Sequence, residues 1–286
     1  MTKIKAGVVG ANGYGGVELV RILSGHPDIE LTVVTSRQYA GLPFSDVFPA
    51  MAGRIDLIFS AYDEDMICDK ADVIFLALPH KLPMAFAPGL IRRGKKVVDL
   101  SADFRFSDQA RYESAYQPHT APELLGDAVY GLSEVLEPQI RNASLIGNPG
   151  CYPSCILLPL WPLIQNKLID VRFLIVDAKS GVSGAGRSIS LPTHFCEASE
   201  SFRPYKVGTH RHQPEMTEKL SQAAGMPISI TFVPHLVPMK RGMEATIYTA
   251  LSEGVRASHI SDCLEDYYAG RRFVRLIGNR PPDTAH

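Results

Sequence analysis

The sequence predicts an α/β protein in which a Rossmann-type, doubly wound parallel sheet is followed by an α+β domain with a mostly antiparallel sheet. Strand and helix patterns alternate in the first half of the 286 residues, and a glycine-rich turn joins the first strand to the first helix. In the second half, strands follow one another with few helices between them. Strands separated by helices pair in parallel through right-handed crossovers. The turn sequence Asn148-Pro149-Gly150 places the domains at 1–149 and 150–286.

The elements of the first domain follow from its hydrophobic patterns. Runs rich in β-branched residues predict strands, and apolar residues at helical spacing predict helices. The segment Val73–Leu78 is continuously apolar, as expected of a parallel strand that is buried on both faces. The predicted strands are Ile4–Ala11, Ile29–Thr35, Ala71–Leu78, Lys96–Leu100 and Leu145–Gly147, and the predicted helices are Tyr14–Ser24 and Met84–Arg93.

The second domain has longer strand patterns and a proline-rich apolar helix. Pro153 suits the first turn of that helix, whereas Pro159 and Pro162 predict a kink or a restart within it. The predicted strands are Phe173–Ala178, Ile228–Pro234 and Met243–Leu251, and the other predicted helices are Pro214–Ala224 and Ala257–Tyr268.

Composition excludes several classes of function. The net charge is −1 and the isoelectric point about 6.8, so neither a nucleic-acid surface nor a membrane surface is indicated. The apolar runs are strand-sized, far below the ~20 residues of a membrane span. The five cysteines have no disulfide or metal-ligand spacing, and the N-terminus enters a strand pattern without a signal sequence. We therefore expect a cytoplasmic protein with reduced thiols and no metal.

A glycine-rich turn between the first strand and the first helix is a candidate dinucleotide site. Its residues are Gly10, Ala11, Asn12, Gly13, Tyr14, Gly15 and Gly16. Glycines permit a tight turn and let backbone N–H groups approach a pyrophosphate at the positive end of a helix. The spacing is GxxGxxG rather than GxGxxG, and an ordinary tight turn is the alternative. The strand before and the helix after favour the dinucleotide site.

The end of the second strand distinguishes the two nicotinamide dinucleotides. Sites that prefer NAD usually carry an acidic residue there, which binds the ribose 2′-hydroxyl. This chain has Thr35-Ser36-Arg37 instead, and a hydroxyl beside a guanidinium suits a 2′-phosphate. NADP(H) is therefore the predicted cofactor, bound in part by Ser36 and Arg37. The alternative is that Arg37 is a solvated loop residue.

Cys151 is the candidate nucleophile. It follows a turn at the expected start of a helix, where the helix dipole lowers the pKa of a thiol and favours the thiolate. The alternative for a lone cysteine is a small buried apolar residue, and that description fits Cys155 one turn later.

A polar cluster at Thr209–Glu215 offers acid/base chemistry. It contains two histidines, an arginine and a glutamate. Either His210 or His212 could act as a general acid/base, with Glu215 orienting it through a hydrogen bond. Taken alone, the segment favours a solvated helix start over an acid/base site.

Three loops carry residues that bind anions. Ser101–Arg105 follows a strand at its carboxyl end, where doubly wound folds place ligands. Ser180–Arg187 is glycine-rich and ends in an arginine, and Pro234–Gly242 contains Lys240 and Arg241. Each could be an ordinary loop, but together they resemble receptors for phosphate and carboxylate groups.

With these motifs in this order, the chain resembles the N-acetyl-γ-glutamyl-phosphate reductase family, which is related to aspartate-semialdehyde dehydrogenase. The most specific motifs are GCYP at 150–153, SGVSGAGR at 180–187 and HRHQPE at 210–215. The resemblance covers nearly the whole chain. Its segments are Gly10–Gly16, Leu100–Arg105, Val129–Leu132, Asn148–Ser154, Ser180–Arg187, His210–Glu215 and Phe232–Gly242.

The resemblance implies a reaction. NADPH would reduce N-acetyl-γ-glutamyl phosphate to N-acetyl-L-glutamate 5-semialdehyde, a step of arginine biosynthesis, through a thioester on Cys151. It also implies an acid/base histidine in the segment 210–212. His212 is favoured over His210 because Glu215 lies one helical turn further on.

The resemblance also implies binding roles and an assembly. Arg105 and Arg187 are the candidates for binding the phosphate or carboxylate of the substrate, and Ser183 and Gly184 for contacting the cofactor. The first domain would bind NADP, and the second would carry catalysis and assemble the chain into a homodimer or homotetramer. Apart from the small-molecule substrate, neither nucleic acid nor membrane is an expected partner.

Two alternatives stay open from the sequence. One is a sibling acyl-phosphate reductase that acts on aspartyl phosphate or on a carrier-linked substrate of lysine synthesis. The other is a truncated, inactive nucleotide-binding protein, because members of the family continue well beyond the region that matches Arg275–Pro282, whereas this chain stops at His286. The segment beyond would hold a strand and a helix packed on the nucleotide domain, so its loss is expected to expose apolar surface.

Overall fold

The computed structural model describes residues 2–285, which form two compact units. One unit contains the residues up to Gly131 together with Pro138–Pro149. The other contains Leu132–Glu137 together with the residues from Gly150 onward. Among the described residues, no helix combines the length and the apolar composition that are needed to cross a membrane.

The first unit is built on a six-stranded sheet in which all neighbouring strands are parallel. The strands are β1 (Ile4–Val9), β2 (Ile29–Thr35), β3 (Val73–Leu76), β4 (Lys96–Asp99), β5 (Val129–Tyr130) and β6 (Leu145–Gly147). Their order across the sheet is β2-β1-β3-β4-β6-β5, so the direction of winding reverses between β1 and β3. Ligands bind at such a reversal in doubly wound folds. The predicted Rossmann-type sheet is confirmed.

Helices lie on both faces of this sheet. Successive strand residues point to opposite faces, and each face has its own apolar core. Val9 and Val33 belong to one core, whereas Val8 and Val34 belong to the other. The helices are α1 (Tyr14–Leu23), α2 (Phe44–Val47), α3 (Glu64–Lys70), α4 (Leu82–Arg92), α5 (Gln109–Ala115) and α6 (Ser133–Asn142), of which the residues up to Glu137 belong to the second unit.

The second unit is built on a four-stranded mixed sheet. Its elements are α7 (Cys151–Gln165), β7 (Ile175–Ser180), α8 (Phe195–Ala198), β8 (Arg203–Pro204), α9 (His212–Ala224), β9 (Thr231–Leu236), β10 (Met243–Tyr248) and α10 (Ala257–Tyr267). The strand order is β10-β7-β9-β8, with β7 and β9 parallel and the other two pairs antiparallel. Val176, Ala178 and Ser180 alternate with more exposed residues on β7, so one face of the sheet is buried. The predicted, mostly antiparallel α+β arrangement is confirmed.

Helix α7 runs unbroken through two internal prolines, so the predicted restart at Pro159 or Pro162 is wrong. Pro162 has no N–H to donate to the carbonyl oxygen of Leu158, four residues earlier. The hydroxyl of the buried Tyr268, which follows α10, donates to that oxygen at 2.5 Å instead. Because a side chain from another helix replaces the missing backbone donor, the helix continues.

Several elements were not predicted from the sequence. Helices α3, α5 and α6 are short or contain many polar residues, and α6 has a non-helical residue, Leu136. Strand β5 has only two residues. These elements carry too few periodic apolar positions to be recognised without the sheet on which they pack.

We expect the substitution Tyr268→Phe to lower the free energy of unfolding by about 1–3 kcal/mol, because the carbonyl of Leu158 loses its donor in a buried setting. Urea denaturation followed by circular dichroism measures the loss. Tyr267→Phe is the matched control, since the hydroxyl of Tyr267 donates only a long, more exposed bond of 3.4 Å to Gln165. Equal effects of the two substitutions would contradict the role of Tyr268.

Candidate active site

The glycine-rich turn after β1 is tightly packed on one side and open on the other. Gly10 has a φ of +84°, and a Cβ there would lie 2.5 Å from the carbonyl oxygen of Ala77. A Cβ on Gly16 would lie 2.3 Å from the carbonyl oxygen of Gly10. Around Gly13 and Gly15, by contrast, a Cβ would meet nothing closer than 3.7 Å. The open side, at the N-terminus of α1, fits a pyrophosphate held by backbone N–H groups.

The end of β2 is bonded directly to this turn. The Oγ1 of Thr35 accepts a hydrogen bond from the N–H of Gly10 at 3.2 Å. The next residue, Ser36, is buried, and its Oγ accepts from the N–H of Tyr39 at 3.2 Å. Arg37 is exposed. The guanidinium of Arg37 is therefore accessible to a 2′-phosphate, whereas the hydroxyl of Ser36 is engaged in the loop itself.

The other predicted cofactor residues lie on turns in the two units. In the first unit, Asn12 is half-buried and Tyr14 is exposed at the first position of α1. In the second unit, Ser183 and Gly184 lie in a short 3₁₀ turn after β7. The N–H of Ser183 donates to the carbonyl of Lys240 at 3.1 Å, so this turn is bonded to the loop after β9.

Arg105, a predicted substrate ligand, has 6% of its surface exposed. Its Nε donates to the carbonyl oxygen of Asn148 at 2.7 Å, and its Nη2 donates to that of Leu100 at 2.8 Å. The guanidinium therefore joins the segment after β4 to the segment after β6, which leads to Cys151. Arg187, the other predicted ligand, is exposed on the loop after β7.

Asp103, in the same segment as Arg105, has a role that the sequence did not reveal. Its fully buried carboxylate accepts hydrogen bonds from the N–H groups of Lys81 and Met84 at 3.0 and 3.3 Å. It also accepts from the hydroxyl of Tyr112 at 2.9 Å. Asp103 thus caps the N-terminus of α4 from outside the helix, and only the tertiary fold brings the two segments together.

Cys151 is the first residue of α7, and its side chain is exposed. Gly150, the residue before the helix, has the extended conformation of an N-cap. A thiol at this position lies at the positive end of the helix dipole, which stabilises a thiolate. Cys155 lies one turn further into the same helix, and burial raises the pKa of its thiol to about 11. The two cysteines are therefore chemically distinct.

Glu215 is bonded to the backbone of the residue before Cys151. Its carboxylate is fully buried on α9, and its Oε1 accepts from the N–H of Gly150 at 2.9 Å. Sequence reasoning gave Glu215 the task of orienting a histidine. In the structure, the hydrogen bond from Gly150 to Glu215 joins the turn before Cys151 to the first turn of α9.

The imidazole of His210 is enclosed by aromatic rings. The ring centroids of Tyr152, Tyr205 and Phe232 lie 5.4, 5.5 and 5.4 Å from it, all in edge-to-face geometry. We call these three rings the His210 cage. The ring of His212 lies 4.9 Å from His210 on the remaining side. Because Tyr152 directly follows Cys151, the cage places both histidines near the start of α7.

The surroundings of His210 fix its protonation. Its Nδ1 accepts the N–H of His212 at 3.1 Å, so in the neutral ring the proton is on Nε2. Burial lowers the pKa of His210 to about 4, and the positive charges of Lys206 and Arg211 add to this effect. At neutral pH His210 is therefore an uncharged imidazole that presents an Nε2–H donor.

The second unit thus brings together Cys151, His210, His212 and Glu215 through contacts of neighbouring residues. Sequence reasoning missed the ring contributed by Phe232, and gave no role to Tyr152 or Tyr205. Within residues 2–285, the structure contains no group of three or more His, Cys, Asp or Glu side chains placed to hold a metal ion.

Comparison with protein families defines the class. The family described as semialdehyde dehydrogenase, NAD binding domain, matches residues 5–143. The family described as semialdehyde dehydrogenase, dimerisation domain, matches residues 151–286. Between them, the two matches cover almost the whole chain and define its class as semialdehyde dehydrogenase.

Individual relatives narrow this class. The chain is 50% identical over 284 residues to the N-acetyl-gamma-glutamyl-phosphate reductase of Desulforapulum autotrophicum, covering 99% of this chain and 82% of the relative. It is also 50% identical over 281 residues to the enzyme of that name from Syntrophobacter fumaroxidans, covering 98% of this chain and 82% of the relative. The chain belongs to the N-acetyl-gamma-glutamyl-phosphate reductase family.

Solved structures of another semialdehyde dehydrogenase share the fold. Aspartate semialdehyde dehydrogenase from Candida albicans, determined with NADP, superposes with a TM-score of 0.70 at 17% identity, covering 93% of this chain and 77% of that one. Aspartate semialdehyde dehydrogenase II from Vibrio cholerae also gives a TM-score of 0.70, at 16% identity, covering 93% of this chain and 80% of that one.

We expect Glu215→Ala to destabilise the second unit by about 1–3 kcal/mol, because the N–H of Gly150 loses its acceptor in a buried position. Glu215→Gln is the matched control, since its amide oxygen can still accept that hydrogen bond. Urea denaturation of both variants measures the difference. If Glu215→Gln were as unstable as Glu215→Ala, the hydrogen bond to Gly150 would not be the stabilising contact.

Proposed function

We propose that this chain is an oxidoreductase that uses NADPH to convert N-acetyl-γ-glutamyl phosphate to N-acetyl-L-glutamate 5-semialdehyde and phosphate, a step of arginine biosynthesis. The observation that carries this proposal is the 50% identity to reductases of that name over nearly the whole chain. The exposed cysteine at the start of α7 supplies the nucleophile that the reaction requires.

The first step forms a thioester. The thiolate of Cys151 attacks the acyl carbon of the substrate, the bond from that carbon to the phosphate oxygen breaks, and phosphate leaves with the electron pair and takes up a proton. The tether from Gly150 to Glu215 holds the backbone of the attacking residue, so the sulfur approaches from a fixed position.

The second step reduces the thioester. When bound, the reduced nicotinamide supplies a hydride to the thioester carbon. The carbonyl oxygen becomes an oxyanion, which a positioned N–H donor stabilises. The C–S bond then breaks, its electron pair returns to sulfur, and the aldehyde and the Cys151 thiolate are released. The hydride and one proton are the only groups consumed besides the acyl phosphate.

We propose that His210, rather than His212, is the histidine that acts on the substrate, as the Nε2–H donor to the developing oxyanion. The Nδ1 of His210 is occupied by the N–H of His212, so only its Nε2 can exchange a proton or a hydrogen bond with the substrate. His212 is the first residue of α9 and donates that fixing bond through its backbone. Glu215 acts through the backbone of Gly150, as a positioning residue.

The first unit is the proposed binding site for NADPH. The open side of the turn around Gly13 and Gly15 would receive the pyrophosphate, with Asn12 and Tyr14 at its rim. The exposed Arg37 would pair with the 2′-phosphate. Ser36 would stabilise this loop through the hydrogen bond that its hydroxyl accepts from the N–H of Tyr39. The proposed cofactor-binding residues also include Ser183 and Gly184 of the second unit and the inner glycines Gly10 and Gly16.

The proposed anion receptors differ in exposure. Arg187 is exposed and suits a phosphate or carboxylate that arrives from solvent. Arg105 is buried, and its guanidinium is held in place by hydrogen bonds to two carbonyl oxygens. It would attract the anionic group of the substrate from that fixed position. Both remain proposals for substrate binding.

We also propose a homodimer or homotetramer that works in the cytoplasm. The second unit matches a family described as a dimerisation domain, and its residues Ile189, Leu191 and Phe195 are largely exposed. Large exposed apolar side chains that cluster on one segment are typical of protein interfaces. The five cysteines all lie among the described residues and form no disulfide, as a reducing compartment favours.

We expect Cys151→Ser to reduce aldehyde oxidation by a factor on the order of 10³ or more, because a serine hydroxyl is not ionised at this position. The assay follows NADPH formation from N-acetylglutamate semialdehyde, NADP and phosphate. Cys155→Ser is the matched control on the same helix and should retain activity. Absence of turnover by the wild-type chain, with turnover of aspartate semialdehyde instead, would refute the proposed substrate.

We expect Arg37→Asp to weaken NADPH binding by about 10- to 100-fold while leaving NADH binding nearly unchanged, because only NADPH carries a 2′-phosphate for the guanidinium. Fluorescence titration with each cofactor measures the two affinities. Arg111→Asp, at another exposed arginine of the same unit, is the control. Equal losses for the two cofactors would show that Arg37 does not read the phosphate.

A further inference from the structure

We infer that Tyr205 is a positioning residue of this site, whose ring is the outer wall of the His210 cage and limits the access of water to the half-buried imidazole. This role rests on the proposed function, because it matters to catalysis only if His210 exchanges a hydrogen bond or a proton with the substrate. Neither the cage nor Tyr205 was recognisable as a functional element in the sequence.

Tyr205 is held in place at three points. Its N–H donates to the carbonyl oxygen of Pro234 at 2.9 Å, which extends the antiparallel pairing of β8 with β9 by one residue. Its hydroxyl donates to the hydroxyl of Tyr152 at 3.3 Å. Its ring meets His210 at a centroid distance of 5.5 Å and an angle of 74°. A ring that is fixed at both ends is a stable wall.

The three walls of the cage differ in their position. Tyr152 and Phe232 each have 1% of their surface exposed, and they belong to the long helix α7 and the interior strand β9. Tyr205 is half-buried and follows β8, the edge strand of the sheet. The two inner walls are therefore buried in the unit, and Tyr205 is the wall nearest to solvent.

The pKa of His210 depends on its burial and on the charges around it. Lys206, after β8, and Arg211, before α9, are the cations that act on it, while His212 and Tyr152 are the titratable groups in ring contact. β9 contributes the uncharged ring of Phe232. Burial raises the pKa of the hydroxyls of Tyr152 and Tyr205, and the thiol of Cys151 adds to this effect. Burial is the largest cause that keeps His210 uncharged, so removal of one wall should be felt directly.

The test measures the titration of His210 by NMR on histidine-labelled chain, with the resonance assigned from His210→Asn. Tyr205→Ala and Tyr205→Ser both remove the ring, and either one that folds gives the result. Tyr205→Phe keeps the ring and is the conservative variant. Tyr248→Ala, at an exposed tyrosine on β10, is the control for loss of a tyrosine elsewhere in the unit.

We expect the pKa of His210 to rise by about one unit or more when the ring is removed, and to stay within about 0.3 units of wild type in Tyr205→Phe and Tyr248→Ala. The acidic limb of the pH profile of kcat/KM should move to higher pH by the same amount in the ring-less variants only. An unchanged titration in Tyr205→Ala or Tyr205→Ser, or an equal rise in Tyr205→Phe, would overturn the role of the ring.

The two readouts separate this role from the proposed function. If the NMR shift occurs but the wild-type chain does not reduce the acyl phosphate, the cage exists and the proposed reaction is wrong. If the chain is active but the ring-less variants titrate like wild type, the reaction stands and Tyr205 is not the wall.

Discussion

The hydrogen bond from the N–H of Gly150 to the carboxylate of Glu215 is the constraint on which the chemistry of the second unit depends. The N–H of Gly150 and the carboxylate of Glu215 are both buried, and each is unfavourable there without a hydrogen-bond partner. One bond satisfies both groups, and a bond to a charged acceptor is stronger than one between neutral groups. Because it joins the starts of α7 and α9, Cys151 and the two histidines are held near the same contact.

Helix α7, which begins at Cys151, also depends on a side-chain hydrogen bond in its second half. Two internal prolines in a nearly all-apolar helix remove backbone donors where no water can replace them. The hydroxyl of Tyr268 supplies one such donor, to the oxygen of Leu158. A kink there would alter the direction of the first turn of α7 and hence the aim of Cys151. The satisfaction of this carbonyl within α7 is therefore a long-range property of the unit, contributed by the segment after α10.

The sequence predicted what depends on local pattern, and missed what depends on contacts between distant segments. Strands such as Val73–Leu76 can be predicted because both their faces are apolar. The start of α7 can be predicted because Gly150 and Pro153 mark a helix boundary. The capping of α4 by Asp103 joins residues about twenty positions apart, and no local pattern encodes it. The His210 cage likewise draws on a helix, an interior strand and the end of an edge strand, so its members carry no shared motif.

Environment rather than residue type separates the reactive groups of the second unit from their neighbours. Cys151 and Cys155 lie on the same helix, yet one is exposed at the positive end of the helix dipole, and burial raises the pKa of the other to about 11. His210 and His212 lie two residues apart, yet His210 has its Nδ1 occupied and a pKa of about 4 from burial. In each pair, two residues of the same type therefore have different surroundings. An uncharged imidazole is compatible with a neighbouring thiolate site because it can donate a hydrogen bond to a developing oxyanion without a buried charge to be stabilised in the resting state.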